Sequence, residues 1–116
     1  MNTTKRPVNK HEAYHAHVYF SSETKAVAQR LYDLIAENFN LQLGTLVERP
    51  VGPHPCWSYQ ILFGREDFDA FIPWLDENRE DLTVLVHGQT GNHIKDHTEY
   101  AYWLGQEVEL NLGVFN

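Results

Sequence analysis

The feature that most constrains the fold is the alternation of side chains along residues 14–20, which read YHAHVYF. Aromatic and β-branched residues with a two-residue period predict a β-strand. Successive side chains of a strand point to opposite faces of a sheet. The even-numbered residues of this run suit burial under helices, so His15, His17 and Tyr19 are predicted to point to the opposite, open face of the sheet.

The remaining periodicities predict the element order β-α-β-β-α-β, which is typical of the ferredoxin-like α+β fold. In this fold an antiparallel sheet carries both helices on one face. Right-handed crossovers place the first and third strands centrally and the fourth beside the first. Ser21 or Ser22 is expected to cap the first helix. The predicted helices span residues 23–38 and 66–78, and the later strands span residues 41–48, 57–63 and 82–86.

Residues 1–11 are predicted to be a flexible arm, and residues 12–116 a single domain. The segment after Gly88 is expected to be a polar tail that carries Trp103. Its apolar end, residues 108–115, is expected to pair at a sheet edge or a dimer interface. The sheet face opposite the helices needs a cover, which a second subunit, the tail or a ligand would supply. A homodimer is predicted for this reason.

Composition excludes several classes of protein. The chain has 116 residues and a formal net charge of −7, which argues against nucleic-acid binding and against docking on an anionic membrane. Its one cysteine, Cys56, excludes an internal disulfide framework and a Cys-based zinc site. No stretch approaches the roughly 20 apolar residues of a membrane helix, and residues 1–10 contain no signal-peptide pattern. The expectation is a small cytoplasmic protein.

Histidine is the residue type that indicates chemistry, with seven in the chain. His87 ends the fourth strand, which is predicted to run antiparallel to the first, so it should lie near His15 or His17. Three imidazoles can bind one face of a divalent first-row metal ion. The non-functional alternative is that these are ordinary surface or hydrogen-bonded histidines. For His54, a rigid turn and an imidazole presented to a pocket remain equally open.

Three blocks of sequence resemble the DOPA 4,5-dioxygenase family, in its small bacterial or fungal form. They are residues 14–20, residues 50–55 (PVGPHP), and the LVH of residues 85–87 with the downstream Thr90-Gly91, His97 and WLG of residues 103–105. The resemblance implies a ferredoxin-like fold and extradiol cleavage of a catechol by O₂ at a non-haem Fe(II). With L-DOPA as substrate, the 4,5-seco product cyclises to betalamic acid.

The resemblance implies that five histidines of this sequence match those of the family, without assigning the iron ligands. They are His15, His17, His54, His87 and His97. Taken with the strand geometry, it predicts that His15, His17 and His87 hold Fe(II), with zinc as a substitute ion. Non-haem iron oxygenases commonly add a carboxylate to two histidines. Whether an acid takes part stays open, and the candidates are Glu12, Asp96, Glu99 and Glu107.

His54 and His97 are the candidates to take a proton from the catechol, because neither is built into the strand pair. Tyr19 or His97 is the candidate donor toward oxygen. Two alternatives to the dioxygenase remain. One is a non-catalytic dimer that binds a metal or an aromatic ligand, and the other is a zinc-dependent hydrolase.

Overall fold

The sheet is antiparallel throughout and has five strands in the order β2-β3-β1-β4-β5. The structure is a computed structural model, and it describes residues 5–115. The predicted ferredoxin-like α+β fold is confirmed, and a fifth strand lies beside the fourth. The elements are β1 (Ala13–Phe20), α1 (Lys25–Asn38), β2 (Gln42–Leu43), β3 (Trp57–Gly64), α2 (Arg65–Asn78), β4 (Val84–Gly88), α3 (His93–Asp96), β5 (Ala101–Leu104) and a 3₁₀ turn (Leu112–Phe115).

The main core lies between the sheet and the two long helices, as the alternation of β1 requires. The even-numbered residues of β1 are all buried in this core. They pack with apolar residues of α1 and α2, since each helix turns one stripe toward the sheet. The helix residues in the core are Ala28, Leu31, Ile35, Phe68, Phe71, Ile72 and Leu75.

Hydroxyl groups set where α1 begins. The backbone N–H of Glu23 donates to Ser21 Oγ over 3.2 Å, and that of Ser21 donates to Thr24 Oγ1 over 2.9 Å. These bonds close a turn before the helix, which starts at Lys25 with Thr24 as its N-cap residue. The predicted start at residue 23 with a serine cap was therefore wrong. In α2, the helix continues through Pro73 without a break.

The second strand is shorter than predicted. Regular pairing with β3 is limited to Gln42–Leu43, instead of residues 41–48. The chain nevertheless stays beside β3, because Gly44 N–H donates to the Gln60 carbonyl over 2.8 Å and Val47 forms an isolated bridge with Ser58. Glycine inside the run weakens the strand, since it has no side chain to pack.

The segment after Gly88 is more ordered than the predicted polar tail, because it forms α3 and β5. Trp103 lies opposite Leu85 in the β4–β5 register. These two residues join Tyr19 and Ala101 in a second cluster on the open face. Val108 and Leu110 pack against this cluster, so the following segment covers part of the open face.

Residues 5–11 make several contacts with the domain. Trp103 N–H donates to the Lys5 carbonyl over 2.8 Å. Arg6 pairs with Asp76, and His11 Nε2 lies 2.9 Å from the Tyr102 hydroxyl. The flexible arm stays a prediction. Among residues 5–115, no helix has the length and apolarity that crossing a membrane requires.

Gly88→Ala is expected to destabilise the protein by about 1–3 kcal/mol, the usual cost of overpacking. A Cβ on Gly88 would lie 2.9 Å from the His11 ring, which would have to leave its place beside Tyr102. Urea unfolding measures the change. Gly44→Ala is the matched control, since its Cβ would meet its neighbours at 3.5 Å or more.

The same substitution in a His11→Ala background tests the cause. There the added methyl group has no ring to displace, so the cost of Gly88→Ala should nearly disappear. An equal cost in both backgrounds would show that the ring is not what the methyl group meets.

Candidate metal centre

Strand register brings three histidines together on the open face. His15 and His17 share one face of β1, because they are two residues apart. In the β1–β4 pairing, His15 lies directly opposite His87. One imidazole nitrogen from each of the three rings lies within 4.8 Å of the others, a group that could hold a metal ion. His87 lies within β4, one residue before its end.

The His17 and His87 rings are poised as a pair. Their Nε2 atoms are 3.1 Å apart, and the rings are inclined by only 12°. His87 Nδ1 lies 2.8 Å from the Gly88 carbonyl, which can only accept, so Nδ1 carries the proton and Nε2 keeps its lone pair. Two nitrogens bound to one ion at about 2.0–2.1 Å are held roughly 3 Å apart. The observed spacing fits a shared ion.

His15 supplies the test of whether a metal suits this group. Its Nε2 atom is buried and has no hydrogen-bond partner among the described residues. Leaving a buried polar atom unpaired costs about 1–3 kcal/mol. A metal ion bound to Nε2 would satisfy the atom. The orphaned nitrogen and the neighbouring lone pair of His87 therefore fit a metal ligand set.

Burial keeps the three rings neutral, which is the form that binds metal. Desolvation holds the pKa of His17 well below its ordinary value, and the nearby His54 and His87 lower it further. Burial lowers the pKa of His87 to about 3, and it also lowers that of His15. The cluster is therefore uncharged at neutral pH and not a set of cations.

His54 reaches the cluster through its loop. The backbone N–H of His54 donates to the Val51 carbonyl over 3.0 Å, in a tight bridge. The ring lies 4.0 Å from the His17 ring, centroid to centroid. Its Nδ1 is 2.8 Å from the hydroxyl of Tyr19, the third residue on the open face of β1. Burial lowers the pKa of His54 to about 4 and raises that of Tyr19.

His97 lies beside the His87 ring. It follows α3, and its Nδ1 lies 2.8 Å from the His93 carbonyl. Its ring is 4.3 Å from that of His87 and 6.1 Å from that of His54. The sequence-predicted site residues thus lie in one continuous group, with His54 and His97 beside the three candidate ligands.

Within residues 5–115, no carboxylate belongs to the group that could hold a metal. Asp96 is buried, but its oxygens accept hydrogen bonds from the backbone N–H and hydroxyl of Thr90. Glu12, Glu99 and Glu107 are exposed. The donor set in the structure is therefore entirely imidazole.

A cavity of about 280 Å³ lies over the histidines, large enough for a small aromatic molecule. Sequence reasoning missed several of its walls. Phe115 was assigned to a sheet edge or dimer interface, yet its ring lies 5.0 Å from that of His97. In the sequence, Phe115 is marked only as an apolar residue near a polar segment, and this does not predict a contact with His97. The other walls without a predicted role are Pro53, Gln60, Gln89, Gly91 and His93.

Comparison with known proteins finds relatives over most of this chain. A 21.2 kDa uncharacterised protein from Botryotinia fuckeliana is 35% identical over 114 residues, which are 88% of this chain and 62% of that protein. The "DOPA 4,5-dioxygenase" of Amanita muscaria is 33% identical over 108 residues, or 85% of this chain and 47% of that protein. The chain thus spans about half to three-fifths of the length of these curated relatives.

A solved structure has the same fold. The crystal structure of a "putative dioxygenase" from Nostoc punctiforme superposes with a TM-score of 0.87 and 41% identity, covering 90% of each chain. The Dopa 4,5-dioxygenase family matches residues 14–114, which include all five clustered histidines. The chain belongs to the DOPA 4,5-dioxygenase family.

Proposed function

We propose that this protein is an extradiol dioxygenase that cleaves a catechol such as L-DOPA with O₂ at a non-haem Fe(II). The observation that carries the proposal is the convergence of three neutral imidazoles, one with a buried Nε2 that has no partner within residues 5–115. His15, His17 and His87 would hold the iron. When bound, Fe(II) supplies Lewis acidity and the redox partner that dioxygen needs. The reaction breaks a ring C–C bond and places both oxygen atoms in the product, so it needs no external reductant.

His97 is the proposed proton acceptor for the catechol hydroxyl. Its Nδ1–H donates to the His93 carbonyl, which leaves the lone pair of Nε2 free in the neutral ring. The ring also lines the cavity. A base must lie within hydrogen-bond reach of the proton that it removes. His97 therefore combines a suitable tautomer with a place beside the proposed ligands.

His54 is the proposed hydrogen-bond donor toward the substrate. Burial raises the pKa of Tyr19, so its hydroxyl keeps its proton. We assign this hydroxyl as the donor to His54 Nδ1, which lies 2.8 Å away. The neutral His54 ring then carries its proton on Nε2. Tyr19 acts as a positioning residue, because it fixes the tautomer and the orientation of a ring that also lines the cavity. The acceptor and donor roles thus fall to different histidines.

A zinc-dependent hydrolase is the second candidate, and the donor set is the observation that favours it. Three imidazoles without a carboxylate also suit Zn²⁺, which activates a bound water in such sites. Family membership supports the dioxygenase instead. The homodimer and the identity of the catechol remain predictions.

The deciding experiment is anaerobic reconstitution with Fe(II), followed by addition of L-DOPA and air. Oxygen uptake equal to substrate loss, with a new visible chromophore, is expected. Zinc-loaded protein is the control and should consume no oxygen. Ester hydrolysis by the zinc form without oxygen uptake by the iron form would favour the hydrolase. Tight metal binding with neither activity would favour the non-catalytic binding protein.

The ligand assignment predicts loss of metal in His17→Ala and His87→Ala. Affinity should fall by more than the roughly 10–100-fold that outer-shell changes cost, because a direct ligand is removed. Equilibrium dialysis with elemental analysis measures it. His11→Ala is the matched control, since His11 bonds Tyr102 instead of joining the cluster. Full occupancy in both ligand variants would remove the assignment.

His97→Ala is expected to keep its iron and to lose turnover by about 100-fold or more, the usual contribution of general base catalysis. Steady-state oxygen uptake measures kcat, and elemental analysis measures the iron. Turnover close to that of the unchanged protein would exclude His97 as the base.

Tyr19→Phe is expected to lower kcat roughly 10-fold, the effect of losing one well-placed hydrogen bond, with iron content unchanged. Tyr59→Phe is the matched control. It removes a buried tyrosine hydroxyl, bonded to the Ala28 carbonyl on the helix-covered face, and should lower stability without lowering kcat. Equal effects of both variants on kcat would show that Tyr19 has only a structural role.

A further inference from the structure

The segment that follows β5 is anchored to both sides of the site. Val108 and Leu110 pack on the apolar cluster of the open face, which contains Trp103. Asn111 N–H donates to the Pro53 carbonyl over 2.8 Å, so the segment is tied to the residue that precedes His54. The 3₁₀ turn, Leu112–Phe115, begins at the next residue.

The turn ends with an aromatic ring against α3. The Phe115 ring lies nearly parallel to that of His93, with centroids 5.9 Å apart and planes inclined by 6°. It also lies 5.0 Å from the ring of His97. Phe115 is half-buried, whereas Val114 is 49% exposed. The 3₁₀ turn therefore directs the Phe115 side chain toward the histidines and leaves the Val114 side chain exposed to solvent.

Two cavities meet at this turn. The histidine cavity of about 280 Å³ is lined by Phe115, and a larger one of about 980 Å³ is lined by Leu112. His97 lines both cavities, so they adjoin at the proposed base. The larger cavity has an apolar wall that includes Ala101 and Trp103. The opposite ends of one short turn thus border two spaces of very different size.

We propose that Phe115 is a specificity-determining residue whose ring limits the space over the histidines. As it stands, the site would take compact catechols, because the Phe115 ring occupies part of the space beside His97. Removing the ring would enlarge the histidine cavity on the side of His97 and admit a catechol with a bulky para substituent. This inference rests on the proposed function, since it takes the bound ligand to be a catechol.

The experiment measures binding without turnover, on anaerobic Fe(II)-loaded protein. The compact probe is 4-nitrocatechol, titrated by its absorbance, and the bulky probe is 4-phenylcatechol, measured by competition. Phe115→Ala should bind the compact probe about 3- to 10-fold more weakly, the range of one lost aromatic contact. It should bind the bulky probe more tightly than the unchanged protein does, so the preference reverses.

Two further variants separate the causes. Val114→Ala alters the same turn at a position that lines neither cavity, and both affinities should stay as they were. Phe115→Leu retains an apolar side chain at the wall of the histidine cavity without the ring. It should keep most of the preference for the compact probe. Iron content and the circular dichroism of each variant should match those of the unchanged protein.

An unchanged ratio of the two affinities in Phe115→Ala would overturn the inference, even if ring cleavage is observed. Absence of oxygen uptake, with binding and the reversed preference intact, would remove the proposed reaction and leave the role of Phe115 supported. Failure of the iron-loaded protein to bind either catechol would overturn both.

Discussion

The antiparallel pairing of β1 with β4 is the constraint on which the rest of the site depends. It fixes His15 opposite His87 and leaves His17 one pleat away on the same face. A shift of one residue would send these rings into the helix-covered core, because strand periodicity is two. The buried apolar residues of β1 prevent that shift. The hydrophobic core therefore sets the positions of the polar groups on the other side of the sheet.

The two faces of the sheet are covered by different means. Long helices with apolar stripes cover one face, as expected for this fold. The open face is covered by irregular chain: the loop that carries His54, the short α3 before His97, and the segment that packs on Trp103. Loops can bring polar rings inward at angles that a regular helix stripe does not offer. The helix-covered face therefore contributes most of the hydrophobic core, and the open face carries the candidate metal centre.

The alternation of β1 was enough to predict which face carries His15, His17 and Tyr19, and the element order was enough to bring His87 to them. The position of His54 was beyond prediction, since a loop with three prolines has no periodicity and its path is set by tertiary contacts. The strand at Ala101–Leu104 was missed because four residues give too short a pattern. The contact of Phe115 was also missed, because its partner α3 has only four residues and no periodicity that predicts a helix.

The outer strands of the sheet bear on how two copies could associate. One edge is β2, only two residues long, and the other is β5, where the Lys5 carbonyl already accepts from Trp103 N–H. Short or occupied edges offer few free backbone groups for strand addition from another molecule. Growth of a continuous sheet across two copies is thereby disfavoured. A homodimer of this protein would need to join through side chains on a face and not through shared backbone ladders.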